Sequence, residues 1–188
     1  MAQGITQTDR FMLFWGGWPS QWHPASFKLD GIQYNCCEQY MMAEKARVFR
    51  DDHALAQILA CTNPRDQKAV GRKVRGFDEE AWNSVCRGIV YTGNLARFSQ
   101  DQSLKSQLLD TEDRTIVEAS PVDCIWGIGL AQDDPRCLDP TQWRGKNWLG
   151  IALMQVRDTL LHAQGDALPE PRDIELREQL EARDALLY

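Results

Sequence analysis

A helical stretch near the middle of the first third of the chain places two full charges where a helix should be apolar. The segment "CCEQYMMAEKARVF", residues 36 to 49, has helical spacing. At about 100° per residue, Glu38 and Lys45 fall on the stripe shared with Met41, Met42 and Phe49. Gln39, Ala43, Glu44, Arg47 and Arg50 supply the remaining faces. Seven positions is about 10 Å along a helix axis, too far for the contact made at i, i+4. Each charge therefore needs another partner: a charge from elsewhere in the fold, bulk water reached by a snorkelling lysine stem, or a pocket whose ligand satisfies it. A lysine desolvated in a pocket has a lowered pKa and becomes a nucleophile.

A second candidate region is "TIVEASPVDCIWGIGL", residues 115 to 130, with Glu118 on a strand-like run, Asp123 just past Ser120-Pro121, and Trp126 among apolar neighbours. A turn cap and a solvent-facing strand residue account for these carboxylates locally. Converging beside an aromatic plane, they suit protonation of a leaving base and stabilisation of a cationic sugar transition state. Of the seven tryptophans, Trp22, Trp82, Trp126 and Trp148 belong either to the core or to a surface on which a base stacks. The run "RDQKAVGRKVRGF", residues 65 to 77, crowds Arg65, Lys68, Arg72, Lys73 and Arg75 around two glycines. It reads as a solvated helix face or as a phosphate-binding patch.

The elements that must position these residues are mostly helical. Helical patterns cover about 36 to 50, 51 to 60, 64 to 74, 78 to 91 and 101 to 110, with Asn63-Pro64 and Asp78 as boundary signals. A further helix is expected from about Leu149 to Ala163. Residues 11 to 35 are rich in aromatics, Gly and Pro without helical period, and Asp30-Gly31 predicts a small hairpin between "SFKL" and "IQYN". The fold class expected is mainly α: one compact helical domain with a few short β-strands. It spans residues 1 to 167, and a C-terminal helical extension occupies 168 to 188 beyond the Pro-rich joint "QGDALPEPRD".

The 188 residues, 43% hydrophobic and 26% charged, are those of an ordinary globular domain. No segment is apolar enough to span a bilayer, and "MAQGITQTDR" lacks the order of a secretory signal, so a cytoplasmic protein with no membrane partner is expected. Six scattered cysteines form no C-x-x-C pair, which predicts reduced thiols and no structural metal. A net charge of −6 argues against general coating of nucleic acid, though not against a local basic patch. Glycine-rich phosphate loops, H-E-x-x-H and G-x-S-x-G are absent, and no cofactor is implied.

Five blocks, "SQWHPASF", "DGIQYNCCEQYMMAEKARVF", "GRKVRGFDEEAW", "IVEASPVDCIWGIGL" and "WRGKNWLGIALMQVRDTL", in this order and spacing, resemble the NADAR family from about Phe11 to Leu161. The resemblance implies hydrolysis of an N-glycosidic bond between a ribose and a base-like amine. Its substrates would be ribosylamine phosphates of riboflavin biosynthesis or ADP-ribosylated guanine, with modified DNA or RNA as a further partner class. It also implies catalytic roles for Lys45, Glu38, Glu118 and Asp123, and substrate contacts from Trp22, Trp82, Trp126, Arg72 and Asn147. Two routes stay open: a Schiff base on Lys45, or direct displacement by water activated by a carboxylate. A non-catalytic module that binds NAD or ADP-ribose is the alternative from another class. The entry segment "FWGGWPSQW" departs from the family's usual run.

Overall fold

The computed structural model describes residues 4–163. The C-terminal extension expected over 168–188 lies outside the described residues.

One face of a small sheet shares the main core with a cluster of helices, and its other face packs a second core with Ile128, Leu130 and Cys137. The order is β1 (Ile5–Gln7), β2 (Phe11–Phe14), β3 (Phe27–Leu29), β4 (Ile32–Tyr34), α1 (Cys37–Val48), α2 (Asp52–Ala60), α3 (Pro64–Gly71), α4 (Glu79–Gln100), α5 (Gln102–Leu109), β5 (Thr115–Glu118) and α6 (Trp148–His162). Strand β2 is central, antiparallel to β1 and parallel to β5, with Phe14 opposite Glu118. Its four residues, Phe-Met-Leu-Phe, are all buried, as expected of a strand covered on both faces. The predicted hairpin forms as β3 and β4 about Asp30 and Gly31, both at positive φ, where the two-residue turn matches the strand twist.

Three expectations change. Strands β1 and β2 form where no regular element was expected, because a four-residue apolar run has no period to betray it. Helix α4 runs to Gln100 rather than ending near 91, with residues 89 to 98 buried. Gly93 leaves the space that the ring of Tyr40 occupies, so this glycine serves packing and does not end the helix. Gln39, assigned to the polar face of α1, is buried. Helix α1 packs against α2, α3 and α4, so its first turns have no solvent face. The Gln39 amide donates to the carbonyls of Ile58 (3.1 Å) and Cys61 (3.1 Å), and its oxygen accepts from Asn35 N–H (2.8 Å).

Capping chemistry sets the helix starts. Asp51, Asn63, Asp78 and Asp101 each accept a backbone N–H of the following turn. Asp51 also takes Arg75 in a fork, at 2.7 Å to Nη2 and 3.2 Å to Nε, with Arg75 N–H at 2.9 Å. That anchors the chain leaving α3 against the start of α2.

Candidate active site

Glu38 lies in the first turn of α1, 2% exposed, with Oε1 lacking a hydrogen-bond partner among the described residues. Its N–H donates to the carbonyl of Gln21 at 3.0 Å, which ties the 19–22 turn to the start of the helix. Burial pushes its carboxyl up to about 6, and Asp123 adds to the rise. Lys68, the Trp22 indole and Arg72 act the other way. An isolated carboxylate this deep would be costly. Facing Lys68, Arg72 and the Trp22 indole makes it tolerable.

Glu118 ends β5, and its Oε2 is likewise buried without a partner among the described residues. Burial, the charge of Asp123 and the charge of Glu38 raise it to about 7, against the pull of Lys68. Its backbone is clamped by Asn147, whose side-chain oxygen accepts Glu118 N–H at 3.0 Å and whose amide donates to Ile116 C=O at 2.9 Å. Asn147 stands at φ 52, the left-handed region that asparagine tolerates better than most residues. Its oxygen and one of its amide N–H groups are therefore engaged by the strand.

Asp123 spends Oδ1 on the N–H groups of Ile125 and Trp126, both at 2.8 Å. A ladder of backbone bonds then joins residues 124–128 to 144–149, including Lys146 N to Cys124 O (3.0 Å) and Leu149 N to Trp126 O (3.1 Å). Gly127 fits this closure because a Cβ there would stand 2.8 Å from the carbonyl oxygen of Glu118. The ring of Trp126 meets Trp148 edge-on at 5.7 Å, and Trp148 lies under Lys146 Nζ at 4.5 Å.

The cations come from α3. Lys68 and Arg72 are four residues apart and share a face. Gly71 sits against Met42 of α1 with no room for a side chain, which sets α3 close enough for both charges to act on Glu38. Lys68 Nζ stands 5.8 Å from the ring centre of Trp22, which is 39% exposed. Arg72 also acts on Lys45, so it links the carboxylates to the amine.

Lys45 is half-buried, and its Nζ lies 4.0 Å from the ring centre of Phe77 and 5.6 Å from that of Trp82. Burial and the nearby Arg72 lower its pKa. No carboxylate forms an ion pair with it among the described residues. This amine is thus pushed toward its neutral, nucleophilic form.

The structure brings Glu38, Glu118, Asp123, Trp22 and Arg72 together and joins Lys45 and Trp82 to them through Arg72. It places Lys68, named in the sequence only as part of the basic run 65–77, beside Glu38, and adds Phe77, which sequence reasoning did not name and which nothing local marks. Among the described residues no group of three or more His, Cys, Asp and Glu side chains is arranged to hold a metal ion. No described helix is long and apolar enough to cross a membrane. A groove of about 640 Å³ lined in part by Ala54, Gln57, Val70 and Lys73 contains none of the three carboxylates.

Comparison with known proteins matches residues 13–161 to the NADAR domain model. The chain is 40% identical to the N-glycosidase R617 of Acanthamoeba polyphaga mimivirus, over 81% of this chain and 97% of that protein. It is 29% identical to the N-glycosidase YbiA of Escherichia coli, over 71% of this chain and 74% of YbiA. The NMR structure of Escherichia coli YbiA superposes with a TM-score of 0.70 at 25% identity, covering 88% of this chain and 93% of that one.

Proposed function

The chain belongs to the NADAR domain family and works as an N-glycosidase, and from that premise we propose how its pocket divides the labour and what it takes as substrate. The observation that carries the proposal is the pairing of two buried carboxylate oxygens, on Glu38 and Glu118, without hydrogen-bond partners among the described residues, with an amine that has no carboxylate ion pair among them. Carboxyls raised toward neutral pH and an amine with a lowered pKa are what proton transfer and amine attack require.

In the proposed reaction the ribose C1–N bond is opened in steps. A protonated carboxyl of the Glu38 and Glu118 pair donates to the ring oxygen, and ring opening leaves a hydroxyl at C4 and an iminium at C1. The neutral amine of Lys45 adds to C1, and the proton it sheds passes through that carboxylate to the base amine. The base amine departs, and C1 is left as an iminium on Lys45. Water then adds to C1 and gives one proton to the carboxylate, and transfer of the remaining hydroxyl proton to the Lys45 nitrogen releases the amine and leaves the sugar aldehyde. The sum is one water consumed, one sugar and one base amine released. Lys68 and Arg72 suit the phosphate of a ribosylamine phosphate or the diphosphate of an ADP-ribosyl group. Trp22 and Trp126 suit stacking on the base.

A second reading keeps Lys45 as an oxygen-binding cation and assigns the chemistry to the carboxylates alone. What favours it is the coupling of Glu118 to Glu38, which separates their pKa values and yields one acid and one base near neutral pH. The deciding experiment incubates the protein with ribosylaminopyrimidine phosphate and, separately, with an ADP-ribosylated guanine oligonucleotide, each with borohydride. Intact mass and released base are read in parallel. A reduced sugar adduct on Lys45, absent in Lys45→Arg, supports the amine route and identifies the substrate class. Base release without adduct moves the assignment to the carboxylates, and binding without base release supports a non-catalytic module.

A further inference from the structure

We infer that Arg97 is a positioning residue for the N-glycosidase site, acting through the turn of residues 19–22 on the indole that faces Glu38. The inference rests on the placement of Glu38 in that site.

Arg97 lies near the end of α4 and is fully buried. Its Nη1 donates to the carbonyl of Ser20 at 2.9 Å, and its Nη2 to Asn94 Oδ1 at 3.0 Å and to the carbonyl of Pro19 at 3.5 Å. The Nε has no acceptor, and no carboxylate forms an ion pair with the guanidinium among the described residues. Its Cζ stands 4.3 Å from the ring centre of Phe98. Asn94, equally buried, donates to Gln21 Oε1 at 3.0 Å. The carbonyl of Gln21 accepts Glu38 N–H, and Trp22 N–H donates to Ser20 Oγ at 3.1 Å.

A guanidinium buried without a counter-ion is a poor way to stabilise a core, where an apolar side chain of similar volume does better. Its contribution here is specific. In the 19–22 turn the carbonyl of Gln21 accepts Glu38 N–H and that of Ser20 accepts His23 N–H at 3.1 Å, and the guanidinium adds a side-chain donor to the carbonyls of Ser20 and Pro19. A planar fork supplies several donors in one fixed geometry, which an ammonium does not. Trp22 is one of the more exposed large apolar side chains, and an indole in that position populates several rotamers unless its backbone is held. Holding the turn keeps the indole N–H on Glu38, where it favours the carboxylate. Other charges facing Glu38 are Lys68 and Arg72 from α3 and Glu118 and Asp123 from β5 and its following loop, with the Cys36 and Cys37 thiols on its own turn.

The test titrates the Glu38 side-chain carboxyl by ¹³C NMR in the ligand-free full chain, alongside kcat and KM on ribosylaminopyrimidine phosphate. Trp22→Phe deletes the donor, Arg97→Lys keeps the charge and loses the fork, and the double variant combines them. The expected result is that each single variant raises the Glu38 midpoint by a similar amount and that the double variant raises it no further. The acid limb of kcat/KM then moves upward with it. A folded Arg97→Lys with an unmoved Glu38 titration overturns the inference, as do additive shifts in the double variant or an unmoved midpoint in Trp22→Phe. Should Arg97→Lys not fold, Gln21→Leu loosens the same turn without a buried charge, and an unchanged Glu38 midpoint in it overturns the inference. Absence of wild-type turnover strikes the functional reading alone, since the titration judges Arg97 without substrate.

Discussion

Glu118, at the end of β5, carries the electrostatic imprint of Glu38, at the start of α1: the charge of Glu38 is one of the causes that raise Glu118 to about 7. Both carboxyls are raised toward neutral pH by burial and by Asp123, and a charged Glu38 opposes ionisation of Glu118, so the two titrate as a coupled pair.

Removing the first charge therefore releases the second. In Glu38→Gln the Glu118 midpoint is expected to fall below about 7, since a like charge no longer opposes it. A ¹³C titration of Glu118 in this variant checks the sign. A midpoint that rises or stays put would separate the two carboxylates.

Stability follows from the same shift. Glu38 has a folded pKa above its ordinary 4.5, so the folded state binds the extra proton. Its favourable contribution is complete below pH 4.5 and is lost as pH rises through about 6. A shift of this size is worth on the order of 2 kcal/mol. Relative to Glu38→Gln, the wild type is expected to lose that amount between about pH 4.5 and 7, a relative drop in Tm of roughly 4–8 °C. Thermal unfolding of both proteins across this window is the measurement, and parallel curves would refute it.

Lys45 gives a prediction of opposite sign. Arg72 lowers its pKa, so Arg72→Gln is expected to raise it and to shift pH-dependent amine labelling of Lys45 toward alkaline pH. Turnover near neutral pH falls with the neutral amine fraction if Lys45 is the nucleophile. Lys45→Arg is expected to lose activity by about 100-fold or more, and near-normal turnover in it would exclude the amine route.

Asn147 separates a binding role from a structural one. Asn147→Ala leaves Ile116 C=O and Glu118 N–H without their partners, which is expected to cost about 2–4 kcal/mol in urea unfolding. Unchanged stability with a raised KM would instead support a substrate contact from Asn147.

Gly71→Ala tests the seating of α3. The added methyl meets Met42, so α3 must shift or Met42 must repack, at about 1–3 kcal/mol. The expected kinetic signature is a raised KM with Lys68 and Arg72 displaced, and an unchanged KM would argue against their role in binding.

Much of the organisation was legible because it depends on local chemistry. The Asn63-Pro64 boundary, the Asp78 cap, the Asp30-Gly31 turn and the misplaced charges of α1 can all be seen within a few residues. The buried Glu38 was visible as a carboxylate on an apolar stripe. The end of α4 was not, since a glycine that ends a helix and one that admits a neighbouring ring look the same in one dimension. Strand β2 needed β1 and β5 beside it to be a strand at all.

The sequence by itself determined the helices, the charges set against their pattern, and the family blocks that name the reaction class. Only the tertiary structure decided which groups share a pocket. Lys68 acts on Glu38 because Gly71 allows α3 to close on α1, Asn147 turns inward because β5 leaves two backbone groups to satisfy, and Phe77 covers Lys45 where the Asp51–Arg75 fork anchors the chain before it. Each is an interaction between segments separated in sequence, and its energy exists only once packing has excluded water from around them.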